Sequence, residues 1–209
     1  HGFEIKEGDM NENAWQPMAE LAYLVYHTSD EEYKKTVGNL IDEDSAMRLW
    51  LFMQIITGHD QRAKNVFYAA RYEKEGYKFY FAPWDMDLTW GNVSIGEKNP
   101  LYTEFEMETY DDDIPWETAE RLIFQNINGA ADKMQLLYTN LRKTILSDDA
   151  LEEHVGQLET LLRDSGAYER DWKRWPEGAH VENYEELLTY AKKRLEFLDT
   201  ALFDLENYD

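Results

Sequence analysis

Ala46-Met47-Arg48-Leu49-Trp50-Leu51-Phe52-Met53-Gln54-Ile55-Ile56 is the stretch whose reading decides the fold. Its spacing predicts a helix with apolar side chains on nearly every side, which neighbouring elements must bury. Trp50, Phe52, Met53 and Ile56 are its expected core. The stretch is too short to cross a bilayer, and Gly58 is placed to end it. A chain leaving a central buried helix is held rigidly, which suits a loop that carries chemistry.

Downstream, Val66 to Tyr72 and Tyr77 to Pro83 are rich in β-branched and aromatic residues, with Glu73-Lys74-Glu75-Gly76 between them. This predicts a β-hairpin with a four-residue loop. If Tyr72 faces Tyr77, then Asn65 faces Trp84 and Asp85 lies one residue further along. Upstream, Gln16 to His27 carries Leu21, Leu24 and Val25 at helical spacing. Ser29 before Asp30-Glu31-Glu32 is an N-cap with an acidic first turn, and that helix is expected to stop near Gly38. Asn92 to Pro115 reads as a long loop ending in the acidic run Asp111 to Asp113. From Trp116 onward only helices are expected: Thr118–Gln125, Ala131–Ile145, Asp149–Leu162 and Tyr184–Phe203. Ser147 and Asn183 serve as N-caps, the latter in a capping box with Glu186. No internal repeat and no inter-domain linker stand out.

Composition narrows the function classes. The 209 residues carry 21 Lys+Arg against 43 Asp+Glu, a net charge of −22. That field repels phosphate backbones and anionic membranes, so nucleic-acid binding is not expected and cation binding is favoured. Hydrophobic residues at 43% are enough to fill a core. The absence of cysteine excludes disulfides, zinc-thiolate sites, iron–sulfur clusters and cysteine nucleophiles. No apolar run reaches membrane-span length, so no membrane insertion is expected. No signal peptide opens the chain; His1-Gly2-Phe3, without Met, reads as a mature form, a trimmed form or a fragment.

The densest polar cluster is His59-Asp60-Gln61-Arg62-Ala63-Lys64-Asn65, continued across the hairpin by Trp84-Asp85-Met86-Asp87-Leu88-Thr89-Trp90-Gly91. The predicted register puts Asn65 and Asp85 at one end of neighbouring strands, where paired residues sit about 5 Å apart. An amide oxygen and a carboxylate at that separation can share one hard cation. An Asp, five residues to an Asn, a hairpin and a second Asp is the catalytic layout of the protein-kinase fold. There the first Asp orients or deprotonates the acceptor, while the Asn and the second Asp hold magnesium on the nucleotide phosphates. Arg62 is placed to steady the transferred phosphoryl group, and Lys64 is the candidate contact to the nucleotide.

Asp60-Gln61-Arg62-Ala63-Lys64-Asn65-Val66-Phe67-Tyr68, followed by Phe81-Ala82-Pro83-Trp84-Asp85-Met86-Asp87-Leu88-Thr89-Trp90-Gly91, resembles the spore-coat protein H (CotH) kinase-like family. The Trp-Asp-x-Asp-x-x-Trp/Phe-Gly element is its most specific part. Leu40-Ile41-Asp42-Glu43-Asp44 also fits, so the clear resemblance spans roughly residues 40 to 92. The resemblance implies an atypical protein kinase using ATP and a divalent metal, Mg²⁺ or Mn²⁺, with surface or spore-coat proteins among its substrates. It implies an extracellular, cell-surface or spore-coat location. Carried over, Asp60 is the catalytic-loop Asp, Asn65 a metal ligand and Asp85 the metal-binding Asp after the hairpin. Asp87 is a second ligand or a brace for the loop.

The implied fold is mainly α, α+β overall: a protein-kinase-like C-terminal lobe with a small β-hairpin at the active site. Residues 1–209 are expected to form that single lobe. The residues before the catalytic loop read as helical, with no glycine-rich strand–turn–strand. The N-terminal nucleotide-binding lobe is therefore expected to be absent or truncated, and activity is expected of the parent protein rather than of this chain alone. His59 directly precedes Asp60, where ordinary kinases place a His two residues earlier; it reads as a hydrogen-bonding loop residue.

Two rival readings stay open. Asp85-Met86-Asp87-Leu88-Thr89 after a strand also fits an Asp-x-Asp-x-Thr phosphatase, whose first Asp attacks phosphorus. That fold requires alternating strands and helices downstream. A non-catalytic spore- or cell-surface scaffold is the other; Asp111 to Asp113 reads as a solvated loop rather than a calcium contact, and its spacing does not match an EF-hand. Arg170, Trp172, Arg174 and Trp175 form a basic-aromatic cluster expected to pack on the lobe. His27, His154 and His180 show no metal-ligand spacing.

Overall fold

The computed structural model describes residues 3–8, 11, 13–58, 64–74, 76–94, 97–98, 114–177 and 184–203. Among them are eight α-helices and two small antiparallel sheets. Helices α1 (Gln16–His27), α2 (Asp30–Leu40) and α3 (Glu43–Ile56) come first, then the hairpin β1 (Val66–Glu73) and β2 (Gly76–Pro83). A short pair, β3 (Asn92–Ser94) and β4 (Glu97–Lys98), comes next. The rest is helical: α4 (Ile114–Phe124), α5 (Ala130–Arg142), α6 (Asp148–Asp164), α7 (Ala167–Arg174) and α8 (Glu185–Phe197), which runs on as a wider π turn over Leu198–Leu202.

The chain divides into two compact units. The first is His1–Met53, Asp60–Met86 and Met107–Met134; the second is Gln54–His59, Asp87–Glu106 and Gln135–Asp209.

The first unit is built around the hairpin and the start of α3. The register pairs Val66 with Pro83, Tyr68 with Phe81 and Tyr72 with Tyr77, as the sequence predicts. Pairing reaches one step further, to Glu73 and Gly76, because Gly76 takes φ +120, a conformation open to glycine alone at little cost. Alternation sends Phe79 and Phe81 into the core, while Phe67 and Ala69 stay exposed. The other edge of β2 is stapled to the residues leading into α3. Ile41 bridges Phe79, the Asp42 N–H donates to the Phe79 carbonyl at 2.9 Å, and the Ser45 hydroxyl accepts the Phe81 N–H at 2.7 Å. Asp42 also caps α3 by accepting the Ser45 N–H at 2.8 Å.

Ser29 caps α2 through the Glu32 N–H, as expected. The helix does not stop at Gly38, however; it runs to Leu40 and ends where Ile41 turns extended to meet β2. Arg121 of α4 closes the far end of α1, donating to the carbonyls of Val25 (2.8 Å) and Thr28 (3.2 Å) and to Asp30 (2.8 Å). Its guanidinium lies 3.9 Å over the Tyr33 ring, and the Tyr33 hydroxyl donates to the Thr118 carbonyl at 3.0 Å.

The second unit packs α6 against α7 and α8. Its centre is Tyr138, whose hydroxyl donates to Asp199 at 2.8 Å and whose ring stacks on Phe203. Arg142 holds the same Asp199 carboxylate through Nε and Nη2, both at 2.9 Å. Ser147 caps α6 through the Ala150 N–H, as expected.

Several expectations need correction. Phe52 is 39% exposed rather than core, so α3 has one open side, shared with Arg48, while Trp50, Met53 and Ile56 are buried. The stretch expected to be loop from Asn92 to Pro115 contains β3 and β4, and α4 begins at Ile114, with Pro115 in the first turn where its missing N–H costs nothing. The basic-aromatic cluster is helix α7, and it is not packed away: Trp172 and Trp175 stay exposed, with Arg174 stacked over Trp175. Beyond the hairpin, strands do not alternate with helices. Both sheets are antiparallel and the described residues from Ile114 on are helices and turns, which removes the support the phosphatase reading requires. Residues 111–113, His180 and Asn183 lie outside the described residues.

Candidate active site

Asn65 and Asp85 sit at the open end of the β1–β2 hairpin. The Asn65 carbonyl accepts the Trp84 N–H at 2.7 Å, which continues the strand pairing one step past Val66 and Pro83. Asp85 is the next residue. Both adopt a left-handed backbone, φ +59 at Asn65 and φ +57 at Asp85. Asn and Asp tolerate that region best among non-glycine residues. A left-handed residue in the last pairing, Asn65, and one directly after it, Asp85, turn both strands out of the ladder. Asn65 is half-buried and Asp85 exposed.

Lys64, exposed, directly precedes Asn65. Beside this end, Phe67 and Trp84 form an edge-on aromatic pair with ring centroids 5.2 Å apart. Trp84 is 59% exposed. Asp60 and Arg62, with His59, lie outside the described residues.

The donor chemistry fits a small hard cation. An amide oxygen and a carboxylate are the ligand types magnesium and manganese take, and the chain offers no thiolate. Among the described residues no three His, Asp or Glu side chains converge. A metal held by Asn65 and Asp85 would also need oxygens from elsewhere, as magnesium does when it binds through one or two protein ligands plus substrate phosphates.

Asp87, in the second unit, begins a tight turn. Its carbonyl accepts the Asn92 side-chain amide at 2.8 Å, and the Asn92 N–H donates to the Thr89 carbonyl at 3.0 Å. Trp90 and Gly91 come next with φ +53 and φ +81. Their N–H groups reach the end of α3: Trp90 donates to the Ile56 carbonyl at 2.6 Å, and Gly91 to the Thr57 hydroxyl at 3.3 Å. Thr57 is fully buried, left-handed at φ +52, and donates its own hydroxyl to the Ile56 carbonyl. A Cβ on Gly91 would lie 2.3 Å from the Tyr190 ring. The glycine that ends the motif is thus required by packing.

Sequence reasoning missed this support. Thr57 and Tyr190 carry no local signal. Gly91, inside the Trp-Asp-x-Asp-x-x-Trp-Gly motif, is the signal that could have disclosed a backbone constraint here.

A model of the CotH kinase protein family matches residues 2–198, well beyond the stretch from 40 to 92 where the motifs stand out. No curated protein and no solved structure gives a match. The motif residues and a family match over nearly the whole length lead to one conclusion: the chain belongs to the CotH kinase protein family.

Proposed function

We propose that this chain carries the phosphoryl-transfer site of an atypical protein kinase that moves the γ-phosphoryl group of ATP to a hydroxyl of a protein substrate. The observation that carries this reading is the placement of Asn65 and Asp85, both left-handed, on either side of the last hairpin pairing. Family membership supports it. A bound Mg²⁺ or Mn²⁺ supplies charge neutralisation on the phosphate oxygens.

In this reading Asn65 and Asp85 hold the metal, and Asp87 is a further ligand or fixes the turn after it. Asp60 orients the acceptor hydroxyl and takes its proton. The hydroxyl oxygen forms a bond to the γ-phosphorus while the bond from that phosphorus to the bridging oxygen breaks, and ADP leaves with that electron pair. Arg62 steadies the transferring group and Lys64 contacts the nucleotide phosphates. Phe67 and Trp84 offer the nucleotide base an aromatic face. The net charge of −22 disfavours nucleic acid as the acceptor and is compatible with a cation-dependent site. A protein of a cell surface or spore coat is the proposed substrate class, and the same surroundings are the proposed location.

The test is incubation of the full parent protein with ATP and Mg²⁺ or Mn²⁺, followed by intact-mass analysis of that protein and of an added acceptor protein. Transfer is expected in the native protein and should fall by about a hundredfold or more in Asp60→Asn and Asp85→Ala. Equal transfer in Asp85→Ala would overturn the site. No transfer by the native protein under any metal would favour the scaffold reading.

A further inference from the structure

We propose that the outer face of the β1–β2 hairpin is a docking surface for an acidic segment of the protein substrate, held by Arg71 and Lys78. Phe79 and Phe81 are buried in the core. Strand alternation and the register therefore turn Phe67, Ala69 and Arg71 of β1, and Lys78, Tyr80 and Ala82 of β2, to the opposite face. All are exposed except Lys78 and Tyr80, which are half-buried, so this face is open to a partner.

Arg71 and Lys78 are register partners. Like charges directly opposite each other destabilise a strand pair. Among the described residues neither side chain forms an ion pair. Glu73, the acid on the same face, instead accepts the Tyr80 hydroxyl at 2.8 Å. The chain carries 43 Asp+Glu against 21 Lys+Arg, so two adjacent cations without an acid partner run against its composition. Guarding an edge strand against aggregation takes a charge on β1; it does not take a second one opposite it on β2. A carboxylate lying between the two side chains removes their repulsion and pairs with both. Lys74, exposed in the turn, adds a third cation at the same end.

The position suits a polypeptide rather than the nucleotide. Arg71 lies six residues along the strand from Asn65, about 20 Å at the usual rise. A triphosphate held at Asn65 and Asp85 is too short to reach it, whereas an extended chain covers that span in about six residues. The hairpin, Asn65 and Asp85 all belong to the first unit. The net charge of −22 repels acidic segments from the molecule at large, so this cationic end selects where one docks.

This inference rests on the phosphoryl-transfer reading, and the test separates the two. The full parent protein, native and as Arg71→Glu, Lys78→Glu and the double variant, is given ATP, Mg²⁺ and serine peptides. The peptides carry glutamates, glutamines or lysines about six residues from the serine. In the native protein KM for the glutamate peptide should lie about threefold to tenfold below that for the glutamine peptide, with kcat unchanged. High salt or either single variant should remove the advantage, and the double variant should prefer the lysine peptide. Urea unfolding gives a readout without activity: Arg71→Glu replaces a like-charge pair with an opposite one and should raise the midpoint. No preference for glutamate in the native protein, or one that survives both single variants, would overturn the proposal. A parent protein that transfers to no peptide counts against the phosphoryl-transfer reading instead. Binding of the fluorescein-labelled glutamate peptide, read by anisotropy, then decides the surface. Equal binding of the glutamate and lysine peptides would overturn it, as would capture of phosphatidylserine vesicles without capture of the peptide.

Discussion

Of the places where described non-glycine residues adopt the left-handed region, two do so for opposite reasons. At the hairpin end they are Asn65 and Asp85, polar residues that adopt it at small cost, and Asp85 is exposed. Behind α3 they are Thr57 and Trp90, a β-branched and a bulky residue for which the same conformation is a real outlier. Thr57 is fully buried, and the turn is held by hydrogen bonds from Trp90 to Ile56 and from Gly91 to Thr57. The first pair spends little stability and leaves two polar side chains at the hairpin end. The second is strained, and its surroundings hold it in place. Side chain matters at the first; backbone path matters at the second.

The sharpest way to break this contrast is Gly91→Ala. An alanine there meets both a φ of +81 and a Tyr190 ring 2.3 Å from its Cβ. Loss of about 3 kcal/mol is expected in urea unfolding. A loss under about 1 kcal/mol would mean the turn is not tightly packed. Thr57→Val, which keeps shape and removes both hydroxyl bonds, should cost about 1–2 kcal/mol in the same experiment. At the hairpin end the sign reverses. Asn65→Gly and Asp85→Gly should leave stability unchanged or raise it by up to about 1 kcal/mol, because glycine adopts the left-handed region without cost. Both should lose metal-dependent nucleotide binding. A large destabilisation by either substitution would show that these residues are held for folding rather than for ligands.

The two regions also differ in how far the sequence discloses them. The hairpin end is set by local rules: aromatic and β-branched runs locate the strands, and one assumed pairing, Tyr72 with Tyr77, fixes Asn65 against Trp84. The caps at Ser29 and Ser147 were legible for the same reason, since each acts within three residues. The turn behind α3 packs on Tyr190, which lies far away in sequence, and no local pattern announces such a contact. Phe52 misleads because a helix apolar all round predicts burial all round, whereas the side it shares with Arg48 is open. Helix α7 was hidden because its tryptophans do not face a core. The short β3 and β4 pair offers too few residues to show a period.

The most direct test of the central claim is calorimetric titration of the chain with ATP, with and without Mg²⁺, and with Asp85→Ala as control. The account predicts binding that needs the metal and disappears in the variant while the thermal unfolding midpoint stays within a few degrees of native, about what a change under 1 kcal/mol produces. Binding of equal strength in Asp85→Ala, or binding indifferent to Mg²⁺, would contradict it.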